Sequence, residues 1–500
     1  MSKKKLKAGI GALLAALMML SSTSCGLIIV NDLSGEAGKQ DEETVSASEE
    51  KTPDSRKNYK KYVNPENGLT LSKQYLAELP ERDYEGAVFF ITTPNAHYIS
   101  PADTESSVSR LAIERTATVE ERLNVSVITS LETTDNMLSG MKQAAAADSY
   151  YTDLLMIPIY QVGQFRKDGT LINLRTLPFF DLEQPYFYQE SSDMTSGGYS
   201  TYGVAGEASV SPDSFSAVFM NKDLLAASGI DTDSIYDLAE DGKWTWDELL
   251  RCSEAVKNLS DSGEAGRQFY TVTVQSASSR LPDLIFKSSG WDFIRTGSRK
   301  TPVIGYRANT VKPTLDQIAK IYNDPRAILD GSAGAVGCFT KGESAFLIDY
   351  LNVMPYITDA SADWGVLPLP KKDEGGEYRT LISNSELVFG VPVNHTNGEF
   401  AAIVLSALNA ASCGYIYDEY VDYSMLHVLR DNDSVNMLDM ILDTASFDFA
   451  LAFGNAYPKI ADATYKLIRQ TAKFNDLETY FQDRMVAANS VMAEEFDLRT

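Results

Sequence analysis

The chain has 500 residues, 44 % of them apolar, which is too much material for a single hydrophobic core, so two domains or lobes are expected. Its 69 acidic residues outnumber 44 basic ones, and the net charge of −25 argues against nucleic acid, whose binding rests on neutralising phosphates. Four cysteines with no CxxC spacing (Cys25, Cys252, Cys338 and Cys413) exclude a disulfide scaffold, and the last three are expected as buried free thiols.

In chain order, Lys3, Lys4, Lys5 and Lys7 make a positive start. Ala8 to Leu20 is an uncharged run of small and apolar residues, and Ser21-Ser22-Thr23-Ser24-Cys25 follows. That succession is a secretory leader. As a helix the apolar run would be roughly 20 Å long at about 1.5 Å per residue, shorter than the about 20 residues a membrane-spanning helix needs. Cys25, followed by Gly26, stands where lipoprotein leaders place the cysteine that takes lipid and becomes the new N-terminus. Ser22 occupies a position that is usually aliphatic in such leaders, with Leu20 further upstream. The expectation is a signal peptide over 1–24 and a lipidated Cys25 heading a tether over 25–61. The stretch from Asp32 to Lys61 is rich in Ser, Glu, Lys and Gly and poor in large apolar residues, so it buries too little surface to offset its ordering entropy. About 30 such residues span roughly 30 Å. The chain is therefore expected on the extracytoplasmic face of a cell membrane, held by a lipid anchor of more than one acyl chain, each contributing about 0.8 kcal/mol per buried CH₂.

The body opens with an apolar strand, Tyr84 to Thr93. An amphipathic helix from Val108 to Leu123, a strand from Asn124, a helix from Met137 to Ala147 and a strand from Thr152 to Ile159 follow. Strand and helix in alternation predict an α/β fold with a parallel sheet. Leu174 to Pro178 reads as a surface loop. Phe215 to Met220 is a strand, and Asn221-Lys222 begins a helix. Thr245 is placed to cap another helix, with Glu248 three positions on. Further strands are predicted at Ser344 to Leu351, Trp364 to Leu369 and Leu387 to Val393. Helices are predicted at Asn397 to Ala411 and Asp476 to Phe496. There is no internal repeat.

Five segments in this order carry a resemblance. Val218-Phe-Met-Asn-Lys-Asp-Leu-Leu225, Thr245-Trp-Asp-Glu-Leu249, Gly342-Glu-Ser-Ala-Phe346, Gly365-Val-Leu-Pro-Leu-Pro370 and Val391-Pro-Val-Asn-His-Thr-Asn-Gly-Glu-Phe-Ala401 are similar to segments of the extracellular solute-binding proteins of ABC importers, the family that includes maltose-binding proteins. The resemblance runs from about residue 84 to the end. These residues read as structural: Trp246 and Asp247 pack and cap a helix, as do Asn221 and Lys222. The resemblance implies a two-lobed α/β fold of the type II periplasmic-binding-protein kind, with a hinge and a ligand cleft between the lobes. Lobe one would be 82–214 plus 391–435, and lobe two 215–385 plus 436–500. It also implies a small-molecule solute, an oligosaccharide above all, an ABC permease as membrane partner, and a monomer without cofactor or metal.

A sugar site needs aromatic platforms for C–H faces and directional polar groups for hydroxyls. Loops after strands are the ligand end of open α/β sheets. In lobe one this singles out Asn95, Tyr98, Tyr160, Gln161 and Glu207. In lobe two it singles out Trp291 and Asp292 in a loop resembling the family's Gly-containing one, and Asp349 and Tyr350 at a strand end. Asn384 and Glu386 precede the later crossing between lobes, and Phe453 and Asn455 lie in the return segment.

Catalysis has weaker support. Only His97, His395 and His427 are present, and there is no HExxH, GxSxG, Walker loop or dinucleotide fingerprint. Asp231-Thr-Asp233 and Asp431-Asn-Asp433 begin like calcium loops but continue with Ile235 and Val435 and no glycine, so they read as turns or caps. The alternatives to a sugar-binding protein are a surface-anchored glycan-acting enzyme using paired carboxylates and a binding protein for a peptide or polyamine.

Overall fold

The structure, a computed structural model, describes residues 65–496 except 103, 105, 210, 264, 265, 267, 276, 297–300, 328–333, 415 and 475–477. The leader, Cys25 and the tether lie outside the described residues.

Eight strands form two four-stranded sheets: β1 Ala87–Thr93, β2 Val125–Leu131, β3 Leu154–Pro158, β4 Ser216–Asn221, β5 Tyr270–Val274, β6 Ser344–Tyr350, β7 Trp364–Leu367 and β8 Leu387–Gly390. The first sheet has the order β8-β3-β1-β2. Its β1, β2 and β3 are parallel, joined by helices as the alternation predicts, and β8 returns antiparallel beside β3 with Val388 opposite Ile157. The second sheet has the order β5-β6-β4-β7, with β5 parallel to β6 and β4 antiparallel to both its neighbours. Val218 faces Ile348 on one side and Leu367 on the other. Continuous apolar runs such as LLMIP in β3 and SAVFMN in β4 are fully buried, as expected of strands covered on both faces.

Local chemistry sets the helix starts. Ser106 caps Ser107–Leu123, its hydroxyl accepting from the Ser109 N–H at 3.1 Å, and Asn124 ends that helix at φ 50. Thr245 accepts from the Glu248 N–H at 3.3 Å and starts Trp246–Ser262. Trp246 is fully buried and donates its indole N–H to Ser288 at 3.0 Å, the packing role its sequence context predicts. Asp431 caps Asn432–Asp443, and Asp231 Oδ1 accepts from the Asp233 N–H, so both Asp pairs belong to caps or turns. Helix Gly398–Ser412 is buried from Phe400 to Ser412, wedged against Ser107–Leu123 and Pro65–Glu78.

Two expectations are corrected. Leu174–Thr176 is a turn of 3₁₀ helix with Leu174 fully buried, because an apolar side chain there finds a place under the loop. Cys252 and Cys413 are buried free thiols, but Cys338, also free, is half-buried. Among the described residues, no helix is long and apolar enough to cross a membrane.

Candidate functional site

Three segments run between the sheets. The chain leaves the first sheet through residues 211–215 into β4. It returns from the second sheet through 380–386 into β8. The third segment follows helix Asn432–Asp443 through Ala445–Ser446 to helix Phe449–Phe453. They are tied to one another: Phe215 bridges Ile382, Ser383 N–H donates to Ser214 O at 2.9 Å, and Thr380–Leu381 pairs in parallel with Ala445–Ser446. The second segment is tied to the C-terminal end of β3, where Ile159 and Tyr160 donate to the carbonyls of Glu386 and Asn384 at 2.9 and 3.0 Å.

A cavity of about 240 Å³ opens on these crossings, lined by Arg280, Asp283, Tyr350, Leu381, Ser383, Asn384, Ser385, Leu451 and Arg469. Arg280 and Asp283 come from the start of helix Ala277–Ser288, which follows β5, and Tyr350 ends β6, the strand parallel to β5. The polar groups are arranged as two ion pairs. Arg280 Nη1 donates to Asp349, which is 1 % exposed, and the Arg280 guanidinium lies over the Tyr350 ring at 4.7 Å from its centroid. Arg469 grips Asp283 through both Nε and Nη2, the Nε–Oδ1 distance being 3.0 Å. Burial pushes the Asp283 carboxyl up to about 6 in spite of Arg469. Burial likewise raises Asp349 against the pull of Arg280 and the Tyr350 N–H. The Tyr350 hydroxyl, hydrogen-bonded to Ser383, is pushed up to about 12, mainly by burial. Each guanidinium keeps N–H donors beyond those its carboxylate takes, and Ser383, Ser385 and Asn384 add hydroxyl and amide groups to the wall.

Of the residues singled out from sequence, Tyr350 and Asn384 line this cavity and Asp349 stands directly behind Arg280. Tyr160 is half-buried beside it, its carbonyl receiving the Asn455 amide at 3.4 Å; Gln161 is half-buried next in the chain and Asn455 is exposed. Tyr98 and Glu207 line a separate, narrow polar pocket with Arg115 and Tyr420. Glu386 is 7 % exposed near Asp213, which accepts from the hydroxyl of that pocket's Tyr420 at 2.9 Å. Asn95 is exposed and turns the chain by accepting from the His97 N–H at 2.9 Å. Trp291 is half-buried outside the cavity, against Phe286 and Tyr306, and donates to Thr314 at 3.0 Å. Asp292 lines a larger cavity of about 720 Å³ with Lys371 and Arg379. There burial is outweighed by Lys287 and Arg379, which hold its carboxyl below the ordinary value. Phe453 is fully buried, stacked on Phe449 at 4.3 Å, and packs in the core.

The sequence reading missed Arg280, Asp283, Ser383, Ser385, Leu451 and Arg469. Arg280 and Asp283 carried a usable signal, a charged pair three apart at the start of a helix after a strand, once β5 is recognised. Arg469 sits in mid-helix and has no local signature. Among the described residues, no group of three or more His, Cys, Asp or Glu side chains is placed to hold a metal.

The family of bacterial extracellular solute-binding proteins matches residues 114–408. None of the curated proteins matches the chain. Among solved structures, the chain is similar to the cyclic alpha-maltosyl-1,6-maltose binding protein from Arthrobacter globiformis. Identity is 14 % and the TM-score 0.56, over 82 % of this chain and 100 % of that one. The GacH receptor of Streptomyces glaucescens GLA.O, solved unliganded and with acarbose, matches at 14 % identity and TM-score 0.49, over 82 % of this chain and 98 % of that one. The first of these likenesses establishes the two-lobed α/β fold.

Proposed function

Because the chain belongs to the bacterial extracellular solute-binding proteins, we propose that it captures a carbohydrate between its lobes and passes it to an ABC permease, tethered to the membrane through a lipid on Cys25. The observation that carries this reading is the cavity at the crossing segments, on lobe two's side of the cleft, with two Arg–Asp pairs, an amide, hydroxyls and one aromatic ring in or directly behind its wall. Sugar hydroxyls donate and accept at once, and such paired walls answer both needs. Lobe one is 82–214 plus 391–435 and lobe two 215–385 plus 436–500. Hinge closure about the crossings brings Tyr160 of lobe one toward Tyr350 and Arg280 of lobe two, shedding water from the solute. The name of the structural neighbour from Arthrobacter globiformis, a cyclic alpha-maltosyl-1,6-maltose binding protein, supports the carbohydrate class. Binding without turnover is supported by Asp283 and Asp349, each held by a guanidinium and so engaged as a hydrogen-bond acceptor.

The test is a thermal-shift and calorimetry screen of the mature chain against neutral sugars, peptides and polyamines, followed by analysis of the bound glycan. A carbohydrate present at 100 times its Kd stabilises by about 2.7 kcal/mol and is recovered intact. Binding confined to peptides or amines overturns the carbohydrate class. Steady release of shortened glycan at catalytic protein levels overturns the binding-protein reading.

A further inference from the structure

The size and charge of the cavity narrow the solute further, on the premise of the carbohydrate reading. At about 240 Å³ it falls below the about 300–1,000 Å³ of pockets that enclose drug-sized ligands. Among the described residues one aromatic side chain, Tyr350, lines it, whereas successive sugar rings each need an apolar platform. The Arg280 guanidinium already covers part of that ring. Each cation is paired: among the described residues the charged side chains lining the cavity are Arg280, Arg469 and Asp283, and the second carboxylate, Asp349, lies buried directly behind Arg280, so two guanidinium groups answer two carboxylates. A solute carboxylate brought here would meet cations already paired, and a solute ammonium would meet carboxylates already paired. Either would enter as an uncompensated charge, and burying one is costly. A neutral hydroxyl has no such cost and can bond to the remaining guanidinium N–H groups, Asn384, Ser383 and Ser385.

We propose that this cavity recognises a single, uncharged, polyhydroxylated ring, so that one neutral monosaccharide unit carries the recognition and the balance of the Arg280–Asp349 and Arg469–Asp283 pairs sets the preference against acidic and amino sugars.

The test is calorimetry on the mature chain with three sets of probes. The first is a panel of neutral hexoses and pentoses with their methyl glycosides. The second is the corresponding uronates and amino sugars. The third is di- to tetrasaccharides of the same sugars. The expected result is that one neutral monosaccharide binds within about tenfold of its best oligomer, since added rings find few further platforms. Its uronate and amino-sugar counterparts bind at least about tenfold more weakly, the factor that one unfavourable charge contact commonly costs. Two variants then test the charge balance itself. Asp283→Asn leaves Arg469 without its counter-ion and is expected to shift the ratio of uronate to neutral-sugar affinity by about tenfold or more toward the uronate. Asp349→Asn does the same at the other pair and serves if the first variant fails to fold. Binding of tetrasaccharides with no monosaccharide binding overturns the single-ring inference and leaves the carbohydrate reading standing. A uronate or amino sugar that binds more tightly than the neutral sugar, or an unchanged ratio in both variants, overturns the charge argument. If no carbohydrate of any length or charge binds while a peptide or amine does, the carbohydrate reading itself fails.

Discussion

Glu386 lies on the second crossing between the sheets, 7 % exposed, with its carboxyl near Asp213 and hydrogen-bonded to the Leu387 N–H at 3.2 Å. Burial pushes its pKa up to about 8, helped by Asp213 and opposed by Ser214 and the backbone N–H groups, from an ordinary value of 4.5. The folded state therefore holds this proton between those two values while the unfolded chain releases it. The stability it contributes is complete below pH 4.5 and is lost as the pH rises toward 8. Each unit of separation corresponds to about 1.4 kcal/mol. Glu386→Gln should match the parent in acid and exceed it above pH 8, by at least about 2 °C in melting temperature. Equal melting curves for the two proteins across that range would remove Glu386 as the source. A second residue-scale prediction concerns Gly163. A methyl group there would stand 2.7 Å from Phe453 Cα and 2.9 Å from Ala452 O, closer than side chains pack. Gly163→Ala should cost about 1–3 kcal/mol in urea unfolding. The same closeness explains why Phe453, an attractive platform from sequence, is packing: the return segment is pressed against helix Val162–Lys167 and its ring has nowhere to go but the core.

At the scale of elements, legibility tracked how local the signal was. The runs behind β1, β3, β4, β6, β7 and β8 are apolar and bounded by turn residues, and the caps Thr245 and Asn397 stand directly before their helices. β5 and the helix that follows it were not readable. The strand is only YTVTV, and Ala277–Ser288 opens on serines and carries Pro282 inside, which removes a helical donor and disguises the period. That helix supplies Arg280 and Asp283, so the missed element is also the missed half of the site. Helix Gly398–Ser412 offers a test of capping in a buried setting. Its Asn397 side chain accepts from the N–H groups of Glu399 and Phe400 at 3.0 and 3.2 Å. Asn397→Ala should cost about 1 kcal/mol, seen as a lower urea midpoint with an unchanged slope.

For the whole molecule, the crossings are the moving part of the proposed function. Solution scattering should give a smaller radius of gyration when the binding carbohydrate is added, as the lobes close. An unchanged radius with bound sugar would replace hinge closure by capture in a rigid cleft. On the proposed lipid attachment, Cys25→Ala should move the protein from the membrane fraction to the soluble fraction without altering its sugar affinity, because Cys25 and the cavity residues are separate parts of the chain. What the amino-acid sequence determined by itself was whatever depends on short stretches or on sums: the acidic composition, the strand–helix alternation and the ordered segments from Val218 to Ala401 that resemble one family. The placement of Tyr350 at a strand end and of Asn384 on a crossing belongs with these, because both are local features. The tertiary structure alone decided which charges meet. Asp283 and Arg469 are 186 residues apart, and Arg280 and Asp349 are 69 apart. A buried carboxylate is tolerable only where folding delivers a guanidinium to it, and no periodicity or motif encodes that encounter.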